Sequence, residues 1–165
     1  MKDLIIYIFE NYGTAIIYMH LISAIFFMGS LFAIRFLFCK PIESISDDEE
    51  RYGIYLKLLQ RFFILSFVLV AIIFVVAFCM EIGMRFEYGN PIGQAMVHAK
   101  ELIWFFIIIN LAYMYIKYRI AKKAFKNNLM IEAGENIILI VNYLIPYVLV
   151  FGLLAILLGI IVKDY

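Results

Sequence analysis

The chain has little of what punctuates and decorates a soluble protein. Only three prolines and nine glycines occur in 165 residues, and 16% of positions are charged against 66% apolar. Soluble domains carry about 25% charge, so a water-soluble globular fold is excluded on composition. The two cysteines, Cys39 and Cys79, are too few for a disulfide scaffold. They fall at opposite ends of apolar runs, separated by close to a bilayer thickness, so no internal disulfide is expected. There is no glycine-rich phosphate loop, no His-Glu-x-x-His, no serine in a nucleophile-elbow setting and no chain of carboxylates inside an apolar run. Their absence leaves no support for P-loop chemistry, zinc peptidase chemistry, serine hydrolysis or carboxylate-relay ion pumping. Histidine occurs twice, at His20 and His98, so any imidazole site has those two candidates.

What the chain does have is long uncharged stretches, Asn11 to Ile34, Phe62 to Met80, Leu102 to Ile116 and Asn136 to Val162, separated by clustered charges. Three of the four match or exceed the roughly 20 residues a spanning helix needs; the run from Leu102 is short and is completed by extending back through His98, which leaves Lys100 and Glu101 inside the span. Runs of this kind are helices, because barrel strands would alternate with period two. The expected fold is therefore an all-α, integral membrane four-helix bundle in one domain, with helices at about 13–38, 56–84, 94–124 and 135–162. Residues 4–12, interrupted by Glu10 and Asn11, read as an interfacial segment ahead of the first helix. The run Ser46-Asp47-Asp48-Glu49 reads as a capping box opening the second helix. Phe86 to Pro91 reads as a turn, and so does Asn127 to Gly134.

Basic residues flank the first connection (Arg35, Lys40, Arg51, Lys57, Arg61) and the third (Lys117, Arg119, Lys122, Lys123, Lys126). By the positive-inside rule both connections face the cytoplasm and both termini lie outside. The first apolar run is too long for a cleavable signal peptide and is expected to stay.

Histidine within hydrocarbon is costly unless it is paired or bound to something. His20 shares a helix face with Ala24, Phe27 and Leu31, and Arg35 lies about 60° from it and roughly 22 Å further in. Ser23 and Ala24 leave room for a flat cofactor. His98 shares a face with Leu102, Phe105 and Ile109. Neutral imidazole in an apolar wall ligates haem iron, zinc or copper. Hydrogen bonding to a neighbouring helix, or to water at the interface, is the plainer alternative for each. Lys100 either snorkels, stacks on Trp104 or faces ligand carboxylates. Glu81 and Arg85 are spaced as a surface ion pair, and Asn110 and Asn142 as interhelical bridges. Met19, Cys79, Met80, Met84 and Met96 lie at the same height as the histidines and offer the soft donors that Cu(I) prefers. Gly152, Ala155 and Gly159 form a small-residue stripe suited to close helix packing.

Several of these residues coincide with motifs of one family. His20, then Gly29, then Arg35 followed by Phe36-Leu37-Phe38 resembles the first helix of the HemJ-type protoporphyrinogen oxidases. His98-Ala99-Lys100 is similar to that family's His-x-Lys, and Asn142, Pro146 and the ending Ile161-Val162-Lys163 are similar to its last helix. The resemblance implies a multi-pass protein of the bacterial inner (cytoplasmic) membrane. It implies that haem b is bound, with His20 and His98 on the iron and Lys100 and Arg35 in support, and that protoporphyrinogen IX is oxidised to protoporphyrin IX. A quinone or other respiratory-chain acceptor would take the electrons. A homo-oligomer is among the expected assemblies, and no nucleic-acid partner is expected. The same pattern also resembles the CopD-like membrane domains, so a b-type cytochrome or copper-handling module without oxidase activity stays open. So does a structural subunit binding neither metal nor haem.

Overall fold

The computed structural model describes residues 2–83 and 91–162, and side chains for all of these except 91–94 and 162. Its described residues form four helices long and apolar enough to cross a membrane, and no strand. They are α1 (Lys2–Glu43), α2 (Asp48–Gly83), α3 (Pro91–Lys126) and α4 (Met130–Ile161). The chain is thus all-α and of the multi-pass membrane type. α1 packs chiefly on α2, and α3 on α4, so two antiparallel hairpins meet along a common core. Phe27, Leu31, Leu59, Phe63, Ile107, Met114, Ile137, Ile140, Ile145 and Val148 fill that core. Large side chains such as Ile64, Phe67, Phe74, Phe105 and Leu153 point outward, as they do in a bundle solvated by lipid. From Lys100 to Arg119 α3 rises roughly 28 Å at 1.5 Å per residue, close to the hydrocarbon thickness of about 30 Å.

The helix ends lie further out than hydropathy alone indicates. α1 begins at Lys2 rather than 13, and the segment read as interfacial is helical, set off by a kink at Tyr12 (φ −126, ψ 15). The side-chain amide of Asn11 donates to the Tyr7 carbonyl at 2.8 Å just before it. Side-chain donors of this kind compete with the helical ladder and bend it. α2 opens at Asp48 rather than 56, and its cap is Asp47, not Ser46: the Glu50 N–H donates to Asp47 Oδ2 at 2.9 Å. Asp48, Glu49 and Glu50 then occupy the positive end of the helix dipole. α3 starts on Pro91, a first-turn position where the missing N–H loses nothing. The turn into α4 is only 127–129. The Leu129 N–H reaches the Ala124 carbonyl at 3.0 Å and the Asn128 N–H reaches Phe125 at 3.1 Å, with Asn128 left-handed at φ 58. This is a Schellman closure. It lets α4 begin at Met130, so Gly134, read as the end of the turn, lies in its second turn.

Two stretches are π-helical, Ala33–Phe38 in α1 and Ile140–Leu144 in α4. Each precedes a proline, Pro41 and Pro146. A proline inside a helix cannot bond the carbonyl four residues back, and its ring pushes on that carbonyl. Widening the preceding turn relieves the clash and re-pairs the backbone one residue out of register: the N–H groups of Cys39 and Ile145 bond Ile34 and Ile140. The Cys39 thiol adds a contact to the Ile34 carbonyl at 2.9 Å. The two π segments touch each other, which places both irregularities on one side of the bundle toward its basic end.

Glycines mark the tightest helix contacts. A Cβ on Gly134 would stand 2.5 Å from the Tyr52 hydroxyl, and one on Gly152 would overlap Met28. The small-residue stripe is therefore occupied within the chain, by α1 at Gly152 and by Lys100 of α3 at Gly159. Gly134→Val is expected to lose about 1–3 kcal/mol by overpacking, checked by thermal unfolding in detergent. Substitution at Gly29, which has open space around it, is expected to leave the melting temperature unchanged within error.

Candidate functional site

α1 brings His20 to the core side, half-buried, at the same height as Lys100 of α3 and Gly159 of α4. The Lys100 ammonium is the charge that His20 faces. It rests 3.2 Å from where a Gly159 Cβ would stand, so the ammonium packs closely over that glycine. His20 Nδ1 is buried with no hydrogen-bond partner, and among the described residues the Lys100 ammonium has no carboxylate partner. Buried polar groups are nearly always paired, so the free His20 nitrogen calls for an explanation, whereas the Lys100 ammonium keeps accessible surface. Ser23 and Phe27 continue the His20 face into the core, where the Phe27 ring meets Trp104 at 6.4 Å, tilted by 33°. The Trp104 ring thus packs on Phe27. Among the described residues cations stand over Tyr52, Tyr113 and Tyr118, and Lys100 does not stack on Trp104.

The other sequence candidates go elsewhere. His98 is two residues from Lys100 and therefore on the far side of α3. Its side chain is 76% exposed and pairs with Glu101, Nδ1 to Oε2 at 3.0 Å. Phe105, on the His98 face, is exposed beside Phe106. Arg35 lies in the π segment near the basic end, against the Cys39 thiol and within electrostatic reach of Tyr55. Asn110 Oδ1 and Asn142 Oδ1 are buried without partners, so these amides do not bridge helices through their oxygens. Cys39 and Cys79 are both free thiols. Met19 points outward, while Met84 and Arg85 lie outside the described residues, and with them part of the sulfur-rich set and the Glu81 pair. No three His, Cys, Asp or Glu side chains converge among the described residues.

Toward a haem-type group these residues offer one side only: the His20 imidazole makes no hydrogen bond through Nδ1, Ser23 is a small neighbour on its face, and Lys100 would supply a cation to carboxylate arms. His98, committed to Glu101 on the opposite face, is not placed as a second ligand from within the same chain. His98→Ala is accordingly expected to leave any His20-dependent absorbance unchanged in position and intensity, whereas a bis-histidine site would lose its low-spin spectrum.

A second polar group, invisible in the hydropathy pattern, lies at the basic end. Glu43 of α1, Arg51, Tyr52 and Tyr55 of α2, and Ile137, Ile138, Val141 and Asn142 of α4 surround a cavity of about 290 Å³. Of the two π segments, Ile140–Leu144 ahead of Pro146 contributes Val141 and Asn142 to its wall. Comparison of the chain with protein-family models, with curated proteins and with solved structures finds no match.

Proposed function

We propose that the protein is a tetrapyrrole-handling membrane oxidase: it binds haem b through His20 and converts protoporphyrinogen IX to protoporphyrin IX. The observation that carries this reading is the buried, unpartnered His20 nitrogen facing Lys100, which has no carboxylate partner among the described residues, at one height of the bundle. A cation at the edge of the apolar span, half-buried between helices, is useful when an anionic group arrives to pair with it. The carboxylate arms of a porphyrin, on an otherwise apolar macrocycle, have that form. The motifs around His20, Lys100 and Asn142 that resemble HemJ-type oxidases support the same chemistry.

In this mechanism Lys100 orients the macrocycle by its carboxylate side, and the apolar walls of α1 and α3 exclude water from the ring. His20 would hold the haem iron, and haem when bound supplies one-electron transfer at that position. Oxidation removes six hydrogens from the substrate as six electrons and six protons, and three equivalents of a two-electron, two-proton quinone-type acceptor balance them. Arg35, roughly 22 Å further along α1 at 1.5 Å per residue, lies too far toward the basic end to act on the same carboxylates and stands against the Cys39 thiol instead.

Complementation of a bacterial strain lacking its own protoporphyrinogen oxidase tests the activity. Growth with wild type and none with His20→Ala or Lys100→Leu supports the oxidase. A haem spectrum without growth leaves a b-type cytochrome, and neither leaves a structural subunit.

A further inference from the structure

The two hairpins meet less closely between α2 and α3 than the helices do within either hairpin, and the seam there is lined by a ladder of contacts. At its basic end a Cβ on Gly53 would stand 3.6 Å from the Phe125 ring. Further in, Gln60 Oε1 accepts from Lys122 Nζ at 3.2 Å and from the Tyr118 hydroxyl at 3.4 Å. Deeper still, the Phe63 ring centre lies 5.3 Å from Tyr118 and 5.4 Å from Tyr115, and Phe67 lies 5.4 Å from Tyr115.

Lys57 is four residues from Gly53 and three from Gln60, so it stands on the same stripe of α2, and it is exposed. Lys122 is held across the seam by its bond to Gln60, with its ammonium 5.7 Å from the Tyr118 ring centre. Both donors to Gln60 use its carbonyl oxygen, which leaves the amide N–H₂ free to donate. Arg61 and Lys126 flank this level, and none of these four cations pairs with a carboxylate among the described residues. Glu50, the next carboxylate along the stripe of α2, is about 10 Å further out at 1.5 Å per residue.

The change from charged to apolar falls at one height on both helices. Arg61 is the last charge before the uncharged run of α2, and Lys117 is the first after that of α3. Gln60 and Lys122 stand on the charged side of this border, while Phe67 and Tyr115 stand on the apolar side. Phe67 is 49% exposed and Tyr115 half-buried, so the aromatic wall is open to whatever fills the groove. A cluster of unpaired cations that gives way within about one turn to an open aromatic wall matches a phospholipid, phosphate at the border and acyl chain below. A soluble phosphate compound would use the cations and leave the wall unused. A zwitterionic headgroup would bring its own cation against the lysines.

We propose that the seam between α2 and α3 binds one anionic phospholipid, its phosphate on Lys57, Lys122 and the Gln60 amide and an acyl chain laid over Phe67 and Tyr115. The lipid then ties the two hairpins together at the basic end. Lys122 lies roughly 33 Å along α3 from Lys100, so the site stands apart from His20 and holds whether or not the protein is an oxidase.

The test titrates the detergent-purified full chain with phosphatidylglycerol and with phosphatidylcholine of the same acyl chains, and counts bound lipid by native mass spectrometry. Wild type is expected to retain one phosphatidylglycerol at least tenfold more tightly than phosphatidylcholine. Lys57→Gln with Lys122→Gln should weaken it tenfold or more, and Phe67→Ala several-fold. Lys40→Gln with Lys123→Gln removes the same charge from exposed positions off the seam and should change it less than twofold. Lys57→Gln alone, at an exposed side chain with no hydrogen bond among the described residues, should cost about fivefold, the effect of one cation near an anionic headgroup. It keeps the test decisive if the paired variant folds poorly. Equal retention of the two lipids by wild type overturns the assignment. So do equal losses from the seam and off-seam pairs, which would mean charge on the whole rim, or displacement of the lipid by inorganic phosphate at equal concentration, which would mean a soluble anion.

Discussion

The His20→Ala protein is expected to purify without a Soret band under conditions in which wild type, expressed with ample haem, carries one. His20 Nδ1 is buried and unpaired and its ring makes no hydrogen bond among the described residues, so removal of the side chain breaks no network. The bundle should fold as before, since a half-buried imidazole replaced by alanine leaves only a small gap at the edge of the core. Loss of the ligand without loss of the fold is the signature to look for. Circular dichroism unchanged within error, with absorbance near 400 nm falling at least tenfold, is the expected pair of readings. Equal absorbance in the two proteins would remove His20 from the iron, and a colourless wild type would remove haem altogether.

Lys100→Leu is expected to make the protein more stable and less active at once. The ammonium stands among apolar helices over Gly159 with no carboxylate partner among the described residues. Cations at such depth cost a few kcal/mol at the bilayer centre and less toward its edge, so replacement by leucine should gain about 1–2 kcal/mol in a reversible unfolding assay. The same change should raise KM for protoporphyrinogen IX tenfold or more, because no cation then meets the carboxylates. The dimethyl ester of the substrate, which lacks those charges, should show little difference between wild type and variant. Lys100→Arg should recover part of the affinity, since charge survives while the geometry of a bulkier fork does not. Unchanged KM with raised stability would make Lys100 an interfacial residue without a ligand.

Much of this architecture was legible from residue order, and the reasons differ by element. The four spans follow from long uncharged runs, because hydrocarbon accepts only backbone that satisfies itself. Their ends were read too far inward, since Asp47, Pro91 and the Schellman closure at Asn128 extend helices into water by capping, which hydropathy does not register. The faces of α3 were harder. Two residues apart on a helix, His98 and Lys100 cannot both face His20, and nothing in the run Ala95 to Ile109 says which one turns inward. The two π segments could have been anticipated from Pro41 and Pro146, but their contact with each other could not.

The sequence by itself determined that the chain lies in a bilayer as four helices, and the height along each helix at which His20, Lys100, Gly159 and Asn142 stand, because rise per residue is constant and hydropathy sets where each span begins. Only the tertiary structure decided rotation: which side of each helix is inside, that Lys100 and not His98 meets His20, and that Tyr52 and Asn142 share a cavity. The physical reason is that lipid and core are equally apolar, so helices like these are hydrophobic on every side and their faces carry no solvent signal. What turns them is contact, a lysine seated over Gly159, Met28 against Gly152, Tyr52 against Gly134, and two prolines that widen the helices where they meet.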